Sequence, residues 1–211
     1  AEKARAAAET GLLTIHRETE GLDSLAGLPF LKERIVPMIE RGRAVKFCLV
    51  GPPGYGKTTV AKRLGKDVGL PVVIANLESI GGKYVGDSEG NVRQMQQFIE
   101  ANAPCVVVLD EINRFIRTDG ESSGVDQKTG GQWLTWLSSD KVKDVVIVAT
   151  ANDLAGVGTL TRPGRFDFTF YQSQDRTPAQ VKQVWDLYAE KYELGEFRGT
   201  YPAIANISPS E

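Results

Sequence analysis

The nine residues Gly51-Pro-Pro-Gly-Tyr-Gly-Lys-Thr-Thr59 carry the strongest chemical signal in the chain. They fit the pattern GxxxxGK(S/T), with Gly51, Gly56, Lys57 and Thr58 at the specified positions. An apolar run, VKFCLV, precedes them and a stretch with helical periodicity follows. In that setting each residue type has a task. Glycines let successive backbone N–H groups turn inward around phosphate oxygens, and the start of a helix adds its positive dipole end. Lys57 offers a mobile ammonium to the β- and γ-phosphates, and the Thr58 hydroxyl is a ligand for Mg²⁺. Pro53, Gly54, Tyr55 and Thr59 complete the loop. The competing reading is a glycine-rich strand-to-helix turn with an incidental lysine.

Fifty-three residues beyond Lys57, the run Val106-Val-Val-Leu-Asp110-Glu111 ends in two carboxylates. Asp110 is placed to hold Mg²⁺ through water, and Glu111 to polarise the water that attacks a γ-phosphate. Adjacent carboxylates also occur at plain surface turns, so the phosphate loop is what gives this pair its meaning. The intervening strand, Val72–Leu77, suits phosphate-loop ATPases that use a catalytic glutamate. Asn152 ends another apolar run, VVIVATAN. If that strand lies between the other two, Asn152 sits beside the γ-phosphate and can orient the attacking water. Otherwise it caps a turn.

Positioning these groups requires a scaffold, and the apolar periodicity outlines one. Short β-branched runs at Val45–Val50, Val72–Leu77, Cys105–Leu109, Asp144–Thr150 and Phe166–Tyr171 read as strands. Helical spacing occurs at Leu31–Ile39, Lys57–Val68, Ser88–Ala101, Gly131–Ser138 and Pro178–Tyr192. Alternation of this kind predicts an α/β fold, a parallel sheet covered by helices on both faces. Residues 117–130 (RTDGESSGVDQKTG) are polar and glycine-rich and read as a functional loop or a disordered segment.

Composition narrows the function. Across 211 residues, 25 Lys and Arg against 27 Asp and Glu leave a formal charge of −2, which argues against a general nucleic-acid binder. A single histidine, His16, excludes a multi-histidine metal site and reads as a solvated residue. Cys48 and Cys105 lie inside apolar runs and read as reduced, buried thiols. No apolar stretch is long enough to span a membrane, and the start has no secretory signal. The expectation is a cytoplasmic protein, or one from an equivalent reducing compartment such as an organelle stroma or matrix.

Taken in order, these motifs resemble those of the AAA+ ATPases, and more narrowly the AAA family proper, over about Leu22–Tyr192. The phosphate loop is similar to the family's Walker A motif and Ala103–Asn113 (APCVVVLDEIN) to its Walker B stretch. Lys83–Gln94 (KYVGDSEGNVRQ) resembles pore loop 1 and the helix after it. Thr161-Arg-Pro-Gly-Arg-Phe-Asp167 is similar to the motif that carries the arginine fingers, here Arg162 and Arg165. Gly21–Lys32 resembles the entry segment that wraps the adenine, with Leu25, Ala26 and Gly27 nearest the base.

The resemblance implies a P-loop three-layer α/β/α sandwich with a five-stranded parallel sheet. It also implies an N-terminal segment at 1–20, a nucleotide-binding large subdomain at 21–175, and a short helical lid at 176–211. ATP or ADP with Mg²⁺ would bind where subunits of a ring, typically a hexamer, meet. One subunit supplies the Walker and sensor residues, and its neighbour inserts Arg162 and Arg165. The alternative for these arginines is ion pairing within their own subunit. Tyr84 and Val85 would face an extended protein substrate in the pore. Two functional readings stand: a motor that remodels or threads protein, and a nucleotide-gated assembly module in which hydrolysis only resets the bound state. A DNA-directed motor is disfavoured by the charge.

Overall fold

The period-two alternation of the strand side chains decides the architecture. In β2 (Lys46–Val50), Phe47 and Leu49 face one side of the sheet and Cys48 and Val50 the other, and all four are fully buried. The same alternation divides β4 (Cys105–Leu109), where Val106 and Val108 oppose Val107 and Leu109. It divides β5 (Val145–Ala151) as well, where Val146 and Val148 oppose Ile147 and Ala149. Strands apolar on both faces need a helical layer on each side. The computed structural model, which describes residues 11–25, 30–80, 87–115, 124–153, 158, 160–172 and 177–195, has such layers.

One face is covered by a π-helical turn at Leu31–Ile35 that runs into α1 (Val36–Glu40), together with α2 (Lys57–Asp67). Leu31, Ile35, Val60 and Leu64 pack there against Phe47, Leu49, Val106 and Val148. The other face is covered by α3 (Asp87–Ala101), the short α4 (Ile112–Phe115) and α5 (Gly124–Leu137). They contribute Val92, Met95, Ile99, Ile112, Trp133 and Leu137. The rings of Trp133 and Trp136 meet edge to face at 5.2 Å. Beyond the sheet, α6 (Pro178–Lys191) opens with a capping box. Thr177 Oγ1 accepts from the Gln180 N–H, and Gln180 Oε1 accepts from the Thr177 N–H.

The sheet departs from the sequence expectation. Among the described residues it has six strands, not five, in the order β1-β3-β4-β5-β2-β6, with β3 at Val72–Ala75 and β6 at Phe168–Tyr171. The added strand, β1 (Leu13–His16), pairs antiparallel with β3 in the register Leu13↔Ala75 and His16↔Val72, so the sheet is mixed. All other neighbours are parallel. An edge strand of four residues with only Leu13 fully buried has too little apolar periodicity to stand out in the sequence. His16 lies on this strand, half-buried, with its Nε2 3.2 Å from Glu18 Oε2.

Residues 117–130 are the second correction. From Gly124 onward they belong to α5. Three glycines and several polar residues lower helix propensity, but Trp133, Trp136 and Leu137 bury their side chains when the helix forms, and packing overrides propensity. Both cysteines are free and fully buried, as expected. Burial pushes the Cys48 thiol up to about 12 and the Cys105 thiol up to about 11. No described helix is long and apolar enough to cross a membrane.

Candidate functional site

Strand order brings the chemistry together. β5 lies directly between β2 and β4, so the loops that leave the carboxyl ends of all three strands meet at one edge. The Gly51 N–H donates to the Ala151 carbonyl at 3.1 Å, which sets the first loop residue beside Asn152. A Cβ at Gly51 would stand 2.9 Å from both Cβ and the carbonyl oxygen of Gln172, at the end of β6, so only glycine fits there. At Gly56, φ is +76°, the left-handed conformation that turns the loop into α2. Pro53 and Gly54 are exposed, Thr58 and Thr59 are half-buried, and Tyr55 is turned into the protein at 8% exposure.

Lys57 is the buried cation of this edge. Its Nζ donates to the carbonyls of Gly51 and Pro52, both at 2.7 Å, and to Asn152 Oδ1 at 3.1 Å. Burial holds its ammonium below the usual lysine value, and the carboxylates of Asp110 and Glu111 oppose that shift. Asn152 in turn donates through Nδ2 to Glu111 Oε1 at 3.2 Å. A chain of polar contacts therefore runs from Lys57 through one amide to the glutamate. Thr58 Oγ1 donates to Asp110 Oδ1 at 2.8 Å.

Thr150 is a further member of the cluster, and no sequence motif marks it. Thr150 is 1% exposed, and its Oγ1 donates to Asp110 Oδ1 at 2.5 Å while accepting from the Glu111 N–H at 2.9 Å. Glu111 has φ +50°, a left-handed conformation rare outside glycine, and this hydroxyl helps to hold it. The only sequence signal was a threonine two residues before Asn152 in a run otherwise made of Val, Ile and Ala.

The entry segment is pinned by residues of α2 that belong to no motif. The Leu22 N–H donates to Asp67 Oδ2 at 2.9 Å. Arg63 donates to the Ser24 carbonyl at 3.0 Å and to Glu20 Oε2 at 2.5 Å. Arg63 and Asp67 are four apart and share a helix face. Leu25, at the end of this segment, packs half-buried against the core, whereas Ala26 and Gly27 lie outside the described residues. Tyr84 and Val85 also lie outside them.

Arg162 and Arg165 are not brought to this edge. They occupy a turn closed by the Arg165 N–H donating to the Arg162 carbonyl at 3.2 Å, just before β6. Because β6 runs parallel to β2, with Phe168 opposite Phe47, the turn sits at the amino end of β2. The phosphate loop sits at the other end, roughly 16 Å away at about 3.3 Å per residue from Lys46 to Gly51. Arg162 is exposed and Arg165 half-buried.

The residues present suit a magnesium nucleotide. A hydroxyl and a carboxylate already 2.8 Å apart, at the mouth of a loop with left-handed glycines and a buried ammonium, are the donor set this metal takes. It favours one or two oxygen ligands from protein and completes its shell with phosphate and water. Among the described residues no group of three or more His, Cys, Asp or Glu side chains could hold a metal ion by itself.

Comparison with known proteins agrees with this construction. Residues 47–174 match the family described as "ATPase family associated with various cellular activities (AAA)". The chain is 31% identical over 183 residues to the uncharacterized AAA domain-containing protein ycf46 of Guillardia theta, covering 81% of this chain and 36% of that protein. It is 31% identical over 169 residues to the peroxisomal ATPase PEX6 of Arabidopsis thaliana, covering 77% and 18%. It is 32% identical over 152 residues to human PEX6, covering 69% and 15%. The chain thus spans 15–36% of the length of these relatives. With the match across most of the sheet and the phosphate loop at its edge, the chain belongs to the AAA family of ATPases.

Proposed function

We propose that this chain binds and hydrolyses ATP with Mg²⁺ at the interfaces of a ring of its own copies, typically a hexamer, and uses the cycle to remodel or thread a protein substrate. The carrying observation is the separation of the two charged clusters along β2. An arginine side chain is too short to cross the roughly 16 Å, at about 3.3 Å per strand residue, from its turn to the phosphate loop of the same chain. At the opposite end of the sheet, the exposed Arg162 and the half-buried Arg165 are suited to complete the site of a neighbouring copy.

In this reading the backbone of Gly51–Gly56 and the ammonium of Lys57 hold the β- and γ-phosphates, and Thr58 and Asp110 hold the metal. The chemistry that a Mg²⁺ held by Thr58 and Asp110 would supply is neutralisation of phosphate charge. Glu111 orients the attacking water and takes up its proton as the water oxygen bonds to the γ-phosphorus and the bond from that phosphorus to the bridging oxygen breaks, with ADP leaving as the anion. Asn152, joined to both Lys57 and Glu111, keeps cation and base in register. Leu25, Ala26 and Gly27 border the adenine. A guanidinium stays charged throughout and pairs bidentately with phosphate oxygens, which suits Arg162 and Arg165 to the charge of the transition state. Tyr84 and Val85 are assigned to the substrate-gripping loop. Two free, buried thiols accord with a reducing compartment.

Mixing two defective variants tests the reading. Arg165→Ala should lose turnover by roughly 10³-fold or more, and Glu111→Gln should bind ATP without hydrolysing it. Combined, they should recover part of the activity, because an Arg165→Ala copy then meets the intact arginines of a Glu111→Gln copy at an interface that carries neither lesion. Parental turnover by Glu111→Gln, or no recovery on mixing, would overturn the proposal.

A further inference from the structure

Lys46 belongs to no nucleotide motif, yet the arginine turn is built on it. Its Nζ donates to two backbone carbonyls, that of Leu137 at 2.9 Å and that of Gly164 at 2.8 Å. Leu137 is the last residue of α5, where carbonyls lack helical partners and a cation is favoured by the helix dipole. Gly164 lies between Arg162 and Arg165, with φ +86°. The backbone of Lys46 holds the far side of the same turn. Its N–H donates to Asp167 Oδ2 at 2.8 Å, and its carbonyl accepts from the Asp167 N–H at 2.7 Å. The turn is therefore gripped from both flanks by one residue and tied to the end of a helix whose Trp133 and Leu137 are anchored in the core.

The turn needs such a grip. Among the described residues its backbone is closed by the Arg165–Arg162 hydrogen bond, Thr161 Oγ1 donates to the Gly158 carbonyl at 3.0 Å, and residues 161–164 are exposed. A Cβ at Gly164 would meet nothing nearer than Ser138 at 4.0 Å, so sterics alone leave the turn room to shift. Displacing a reacting group by about 1 Å is enough to cost up to 10²-fold in rate.

We infer that Lys46 is a positioning residue for the arginine turn: it sets where Arg162 and Arg165 stand when they reach the site of a neighbouring copy. The inference rests on the proposal that these arginines act between copies. It also makes β2 a strut, with the chain's own phosphate loop at one end and its contribution to the neighbour at the other. A lysine that merely holds the fold together differs in one measurable respect. The defect of a positioning lysine falls in the neighbour's site, whereas a folding defect falls in its own.

The test uses Lys46→Met, which keeps most of the stem and removes the donors. Expected are a loss in kcat of roughly tenfold to a hundredfold at unchanged Kd for ATP, and partial return of activity with Lys46→Arg. Mixing Lys46→Met with Glu111→Gln should restore turnover, because the Glu111→Gln copy presents intact arginines to a copy whose own site is whole. Parental kcat in Lys46→Met overturns the inference. So does a loss that mixing fails to restore while Arg165→Ala is restored under the same conditions. If Arg165→Ala itself keeps parental turnover or cannot be rescued, the trans-acting arginine fails and the inference falls with it. Should Lys46→Met not fold, Lys46→Gln, whose amide ends one atom short of the lysine ammonium and cannot hold both carbonyls, is judged by the same two criteria.

Discussion

Replacing Thr150 by Val would remove one hydroxyl from the centre of the site at almost constant volume. The hydroxyl makes two bonds: to Asp110 Oδ1 at 2.5 Å, and from the Glu111 N–H at 2.9 Å. A hydrogen bond to a charged acceptor contributes about 1.5–3 kcal/mol, and stranding a buried amide costs about 1–3 kcal/mol. The extra apolar contact of a valine offsets part of this, leaving a net loss of about 2–4 kcal/mol. For a domain of this size that lowers the thermal midpoint by roughly 5–15 °C. Catalysis should suffer beyond stability, since Glu111 loses a partner that holds its left-handed backbone. A fall in kcat of roughly tenfold to a hundredfold is expected, with KM for ATP little changed because Lys57 and the loop glycines are untouched. Thermal melts and steady-state ATP hydrolysis measure both, with Thr150→Ser as the control that keeps the hydroxyl. A Thr150→Val protein that melts and turns over like its parent would refute the role of this hydroxyl.

Lys57→Ala should weaken ATP binding by more than about a hundredfold, or roughly 3 kcal/mol, as the phosphates lose their mobile cation; calorimetry showing retained tight binding would point to another lysine. Tyr84→Ala should leave basal hydrolysis and assembly nearly intact while abolishing substrate-stimulated turnover and remodelling; full remodelling at an unchanged melting point would favour the nucleotide-gated module. Both thiols should resist alkylation in the folded protein at pH 8 and react when it is unfolded in denaturant, as free-thiol titration will show. Because burial raises both folded thiol values above the ordinary 9.0, unfolding releases protons above about pH 9 and stability should fall there by about 1.4 kcal/mol per pH unit for each thiol. Chemical denaturation between pH 8 and 10 checks the sign, and flat stability would refute it.

The local chemistry was legible in the sequence because it depends on residue type and short spacing. Gly51–Thr59, Asp110 and Glu111 at a strand end, and Asn152 at another are each defined within a few residues. The central strands were legible too, since side chains buried on both faces leave unbroken apolar runs. Their lateral order was not, because runs such as VVVL and VVIVAT read alike in any order across a sheet. Only the tertiary structure places β5 between β2 and β4, and that placement brings Asn152 to Lys57 and Thr150 to Asp110. Only long-range pairing reveals β1, whose four residues gain a place by hydrogen bonding to the open edge of β3 rather than by periodicity. Packing of two tryptophans likewise extends α5 back to Gly124 through a segment whose glycines favour a loop. The grip of Lys46 on the arginine turn joins residues far apart in sequence, through backbone carbonyls that every residue type possesses and no sequence pattern can mark.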